Sequence, residues 1–276
     1  MDNDVDLLYR QHLTASDLRL LGSPASGALG SALGRADLEA VVFSRQEDDQ
    51  PLLGTSPFLT FAIAVHRTAE RLQTTTFVEE RWTSRQRLPM FDVASLRQLL
   101  LEPQRRYFLV ELLASYTHVV SGATWQRTRR GWRRRRFSEL DMSKLAELLD
   151  AVEPAERTGI YRRLGDLALF LTGVFPDHGA LLDVGPVALS RMARLSRLQG
   201  SPGEDLDGLE LLEELGRRFY GLAVRTARSH GAPPTPGLTA VGQIAENFRD
   251  ARRVLNVVTD WYLFPLRERW FGRRGV

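Results

Sequence analysis

From residue 56 onward, apolar residues recur at helical spacing, with short polar breaks between the runs. Ser56 and Pro57 precede Phe58, Phe61, Ala62, Val65, Ala69 and Leu72. A serine can cap a helix and proline suits its first position, so a helix is predicted to start there. Asp92 opens a short helix with Leu96, Leu99 and Leu100, and Pro103 starts another with Phe108, Leu112, Leu113, Tyr116 and Val120 on one side. Asp141 precedes the helical run MSKLAELLDAV. Pro154 begins a longer pattern through Ile160, Leu164, Leu167, Ala168, Leu171, Val174 and Phe175, whose last two turns are apolar nearly all round, which predicts a central place in the core. Further helices are expected from Pro186 to about Leu198, and around Leu212, Leu215, Phe219 and Leu222, before the break HGAPPTPG at 230–237.

The last pattern is the most regular. Val241, Phe248, Leu255 and Tyr262 recur every seven residues, with Ile244, Ala251 and Val258 between them. This reads as the buried stripe of one continuous helix. A helix-turn-helix over 238–260 fits less well, because no glycine or other breaker stands where the turn belongs. The stretch 74–91 alternates β-branched, aromatic and polar residues, so it reads as an extended connection or one strand. Residues 1–56 are less determined. They combine an acidic tip, a short helix near 18–21, a glycine-studded stretch at 22–34 expected to be a flexible connection, and DLEAVVF at 37–43 as helix or strand. The expectation is a mainly α chain: a weakly structured extension over 1–56, then a single-domain bundle of about seven to eight helices over 57–276, in which a small β-hairpin could form at 123–137.

Composition narrows the chemistry. No cysteine occurs in the 276 residues, which excludes disulfides, thiolate metal sites and cysteine nucleophiles. The longest apolar run, LALFLTGVF, is about half of the roughly 20 residues that cross a bilayer, and the acidic start is unlike a secretory leader. A cytoplasmic location is expected. Lys144 is the one lysine among 37 bases, an arginine bias that GC-rich coding explains. The bias is also local. Seven arginines fall within residues 127–136 with no acid, and taking those seven from the 37 bases leaves 30 against 34 acids.

That cluster is the first candidate site. Arg130 and Gly131 could form a tight turn between two short strands, setting Trp125 opposite Arg136, Thr124 opposite Phe137 and Arg127 opposite Arg134. Like charges directly opposed are destabilising, so the arrangement calls for an anionic neighbour. The expected polyanion-binding residues are Arg127, Arg129, Arg130, Arg133, Arg134, Arg135 and Arg136 with Trp125 and Trp132. Guanidinium forks bind phosphates, and indoles stack on bases or on guanidinium planes. The anion could be internal, from Glu204, Asp205, Asp207, Glu210, Glu213 and Glu214, or it could belong to an acidic protein or a nucleic acid.

A second candidate joins Tyr161, Arg162, Arg163, Asp166, Asp177 and His178. Asp166 in an apolar helix needs a partner, which Arg162 one turn earlier can supply. The same residues could instead form an enzyme site, with Asp166 as acid or base and His178 as proton carrier. His66 and His118 lie on predicted helices and could meet, but the five histidines are scattered and no metal-binding pair, phosphate loop or nucleophile elbow occurs. No catalytic residue, metal or cofactor is therefore assigned. The third candidate is the aromatic end, where Trp261, Tyr262, Phe264, Trp270 and Phe271 could dock on the chain's own core, on a partner or second subunit, or at a membrane surface. The leading expectation is a non-enzymatic binding protein. Its partner would be a protein or a second copy first and a nucleic acid second; the alternative is an enzyme or small-molecule binder with a pocket near Asp166 and His178.

Overall fold

The computed structural model of the chain describes residues 2–43, 55–81, 87–117, 121–128, 131–138, 142–175, 208–264 and 270–271. These residues are mainly helical. Helices α1 (Asp2–His12), α2 (Ala15–Leu20), α3 (Leu29–Leu33) and α4 (Ala36–Phe43) precede α5 (Pro57–Leu72). After it come α6 (Val93–Leu101), α7 (Pro103–Ser115), α8 (Met142–Ala151), α9 (Arg157–Val174), α10 (Gly208–Ser229), α11 (Pro236–Glu246) and α12 (Phe248–Val258). Two antiparallel pairs complete the list: β1 (Val78–Arg81) with β2 (Arg87–Met90), and β3 (Ser121–Thr128) with β4 (Gly131–Ser138). The stretch expected to be a connection or one strand is thus itself a hairpin. The helix expected from Pro186 lies outside the described residues.

Two helices organise the core. The α5 start is as expected: Ser56 Oγ accepts the Leu59 N–H at 3.1 Å and Pro57 takes the first position. Phe58 to His66 are all buried, so α5 is enclosed by its neighbours α3, α4, α6 and α7. The second organiser, α9, buries every residue from Leu164 to Val174 between α10, α12, α7 and α8. Its C-terminal carbonyls need partners, and Asn256 of α12 supplies them, donating Nδ2 to Thr172 O at 3.1 Å and Gly173 O at 2.6 Å. An aromatic chain links the two helices: Phe61 stacks on Phe271 at 5.6 Å, Phe271 meets Phe170 edge-on at 4.9 Å, and Phe170 stacks on Tyr116 at 4.1 Å.

The weakly structured N-terminal extension is a correction. Residues 2–43 carry four helices that bury Val5, Tyr9, Leu29, Leu33, Leu38 and Val42 in the common core. Polar contacts that periodicity cannot reveal fix them in place. Asp17, fully buried, closes a capping box with Thr14 and also accepts the Ser56 N–H at 2.9 Å, joining α2 to the start of α5. Asp6 accepts the Gly27 N–H at 2.5 Å. Gly22 and Gly27 hold φ of 78° and 85°, so these glycines serve defined turns and not a loose tether.

The Tyr9 hydroxyl meets His66 Nε2 at 3.1 Å inside this interface. Burial, then the Arg106 charge, push the His66 pKa down from 6.5 to about 3, against a Gly30 backbone hydrogen bond that acts the other way. Below pH 6.5 the unfolded chain takes a proton that the native ring refuses until about pH 3. Stability carried by this site is therefore lost as pH falls through that window. In urea unfolding, the stability difference between wild type and His66→Gln should move against wild type by up to about 1.4 kcal/mol per pH unit between pH 6 and 4. A difference independent of pH would contradict the assignment.

The seven-residue seam is buried throughout, Val241, Ile244, Phe248, Ala251, Leu255, Val258 and Tyr262 all lying in the core. The helix that carries it is not continuous. Asn247, at φ −117° and ψ 32°, ends α11, and its Nδ2 donates to Gln243 O at 2.8 Å. An asparagine side chain competes with the helical ladder in this way, a break the apolar pattern does not register. Helix α12 then ends in a π-type turn, Thr259–Leu263.

Candidate functional site

The first candidate forms a two-stranded ribbon. Threonines, tryptophans and a phenylalanine give both strands β character, and the pairing runs Ser121 with Ser138 through Thr128 with Gly131. This register departs from the expected one by two residues. Gly131 opens β4 instead of serving in the turn, and Arg129 and Arg130, the connecting residues, lie outside the described ones. The consequence is electrostatic. Trp125 stands opposite Arg134, Arg127 opposite Trp132, Thr124 opposite Arg135, Gln126 opposite Arg133 and Ala123 opposite Arg136. No pair of the ladder opposes two arginines, so the repulsion expected between Arg127 and Arg134 is replaced by arginine facing tryptophan.

The helical body pairs its own charges. Glu213 binds Arg252, and Glu214 binds Arg217 at 2.7 Å and also Arg218, so two acids of the stretch expected to neutralise the cluster serve other arginines. Glu204, Asp205 and Asp207 lie outside the described residues. Elsewhere Glu39 holds Arg67 at 2.7 Å, and Glu111 holds Arg162 at 2.9 Å. The densest set is buried: Arg252 joins Glu80 of β1, Glu213 of α10 and Asn256, while Arg253 takes the other oxygen of Glu80 at 3.2 Å. The two carboxylates respond oppositely. Burial pushes Glu80 up, but Arg252 and Arg253 reverse this and leave it below the ordinary range; for Glu213 burial outweighs Arg252 and the Arg249 charge, the Glu80 charge adds to it, and it is raised.

In the second candidate, Asp166 is buried among partners of its own. Asp166 Oδ1 accepts the Tyr220 hydroxyl at 2.8 Å, and Oδ2 lies 3.8 Å from Arg162 Nε, the expected partner one turn away. Burial raises its pKa to about 6 in spite of Arg162 and Tyr220. Arg163 lies over the Tyr116 ring at 4.1 Å and Tyr161 stacks near Phe219. Asp177 and His178 lie outside the described residues, as does His118, so the proposed pairings with His178 and of His66 with His118 do too. Among the described residues no cluster of three or more His, Cys, Asp or Glu could hold a metal ion, and no helix is long and apolar enough to cross a membrane.

At the aromatic end the chain takes most of the rings itself. Tyr262 is buried and donates to Glu39 Oε1 at 3.3 Å, Trp261 lies under Arg71 at 4.2 Å, Trp270 packs on Phe61 at 5.5 Å, and Phe271 is in the aromatic chain of the core. As partner-binding residues Tyr262 and Phe271 are therefore corrected to core residues; Phe264 is exposed. The break at Asn247 does not revive a DNA-reading helix-turn-helix either. A recognition helix must present side chains to the groove, and α12 buries every residue from Ala251 to Val258. One surface feature went unseen in sequence: Phe77 and Phe91, 45% and 74% exposed, flank the first hairpin with rings 5.9 Å apart. They fall in the segment read as a connection, where no period marks them.

No family model, curated protein or solved structure matches the chain.

Proposed function

We propose that the chain acts by binding a polyanion through the β3–β4 ribbon. The observation that carries this reading is the register. It sets five of the arginines of residues 127–136, Arg127 and Arg133 to Arg136, along an antiparallel ladder in which each stands opposite an uncharged residue. Glu213 and Glu214, two acids of the stretch expected to neutralise the cluster, are held by arginines of the body. Outside the strip the chain is slightly acidic, which confines polyanion affinity to it. Cytoplasmic residence belongs to the same proposal, since a chain without cysteine is independent of an oxidising compartment.

Heparin affinity chromatography tests it. Wild type should be retained at 50 mM salt, while R133Q/R134Q/R135Q/R136Q, with unchanged helical circular dichroism, should flow through. Equal retention of both would place the affinity elsewhere on the surface and end the proposal.

A further inference from the structure

We propose that helices α1 to α4 form an acid-sensitive cap: as pH falls, residues 2–43 lose their hold on α5 and α7 while the body built on α9 and α10 stays folded. The basis is an interface closed by ionisable groups. Helix α1 packs on α7, and α3 and α4 pack on α5. Across this interface Tyr9 meets His66 and Asp17 accepts the Ser56 N–H. Glu39 takes Arg67, which also donates to the Gly34 carbonyl at 2.7 Å. Release would bare the apolar faces of α5 and α7 that the cap covers.

His66 is the group in this interface that must stay neutral. Its backbone hydrogen bond to Gly30 favours the charged ring, so the ring donates there through Nδ1, and Nε2 is left to accept the Tyr9 hydroxyl. A second proton would turn that acceptor into a donor aimed at Tyr9. It would also set a cation near Arg106 of α7, whose guanidinium is anchored on the Leu100 and Leu101 carbonyls and pairs with no carboxylate among the described residues. The carboxylates of the cap are committed elsewhere: Asp6 to the Gly27 N–H, Asp17 to Thr14 and Ser56, Glu39 to Arg67 and Arg71. At the rim, His12 stacks on Phe58 at 4.7 Å and Tyr107 lies edge-on to Tyr9 at 5.2 Å. Of the other helices on α5, α6 sends Arg97 to the Leu72 and Thr75 carbonyls, and the arginines of α12 face Glu80, Glu213 and Asp250.

The body responds with the opposite sign. Asp166 is faced by Arg162 and Arg163 of its own helix, Tyr220 of α10 and Glu111 of α7, and burial raises its pKa from 3.8 to about 6. The native chain therefore takes this proton before the unfolded chain does, and the group adds stability as pH falls through 6 toward 3.8. His66 is held down at about 3 against 6.5 when released, so the stability it carries is lost as pH falls below 6.5. Between pH 7.5 and 5 these values make cap opening about 30-fold easier through His66, and strengthen the body about 10-fold through Asp166. Global unfolding exposes both groups, so the two effects largely cancel. Opening the cap exposes His66 and leaves Asp166 between α7, α9 and α10.

Amide hydrogen exchange of the full chain at pH 7.5 and pH 5, read by mass spectrometry and corrected for the intrinsic exchange rate, tests the proposal. The cap helices have 5 to 11 residues, too short to persist in water once released, so their amides report opening. Protection in α1, α3 and α4 should fall about 30-fold between the two pH values, while protection in α9 and α10 should change by no more than about 3-fold. His66→Gln, which cannot take the proton, should remove the extra loss in the cap. The helix-by-helix comparison uses wild-type protein and decides the matter whether or not that variant folds. An equal change in cap and body would mean that the cap opens only with global unfolding, and would overturn the proposal. So would cap protection independent of pH, or a pH-dependent loss that persists in His66→Gln.

Discussion

Arg252→Met is expected to cost about 3–5 kcal/mol of folding stability, because it removes the one cation shared by two inward carboxylates. Arg252 is 3% exposed and joins Glu80, Glu213 and Asn256. Without it, Glu213 loses its guanidinium and Glu80 keeps only Arg253. The contact ties three elements together, β1, α10 and α12, so the loss should appear as a lower urea midpoint with the denaturant slope unchanged. A buried ion cluster is costly to desolvate and is weak evidence of net stabilisation. The triple replacement Arg252→Met, Glu80→Leu, Glu213→Leu should accordingly recover most of the single variant's loss. If the single variant unfolds at the wild-type midpoint, the cluster is not the brace described.

The second large effect is steric. A methyl group at Gly216 of α10 would lie 2.9 Å from Ala168 Cβ of α9 and closer still to the buried ring of Phe248. Alanine is favoured over glycine inside a helix by roughly 0.5–1 kcal/mol. Overpacking costs roughly 1–3 kcal/mol and should win here, because Ala168 is held by its own buried helix and the Phe248 ring is boxed in by Tyr220. Gly221→Ala, five residues on, is the control. Its nearest neighbour is Arg225 Nη1 at 3.2 Å, the far end of a flexible side chain, so the helix preference should prevail and stability should rise. Thermal unfolding of the two variants should move in opposite directions; a shift of the same sign in both would show that packing between α9 and α10 is looser than the geometry states.

These contacts explain why some of the molecule is legible in its sequence and some is not. The α5 start is written locally in Ser56 and Pro57, and the centrality of α9 in an apolar run, so both could be read directly. The N-terminal helices are fixed in part by long-range polar contacts such as Asp17 to Ser56 and Tyr9 to His66, which leave no period in the chain. Glu80 and Arg252 are 172 residues apart, and nothing near either announces the other. Asn247 interrupts a seam whose apolar repeat continues undisturbed, because the repeat reports burial and not backbone continuity.

The candidate site shows the same division. Its existence as a hairpin follows from composition, with β-formers on both sides of a charged turn. Its register does not. The Arg130–Gly131 pair satisfies the turn preference, yet the ladder shifts by two residues and takes Arg127 and Arg134 out of opposition.

The salt dependence of oligonucleotide binding, measured for wild type and R133Q/R134Q/R135Q/R136Q side by side, tests the ribbon most directly. For a single strand, log K should fall with log salt at a slope of roughly −0.7 per phosphate neutralised. The slope should approach roughly −5 if all seven arginines engage, and the four-glutamine variant should be shallower by roughly 3. Parallel slopes for the two proteins, or no binding by wild type at 50 mM salt, would contradict it.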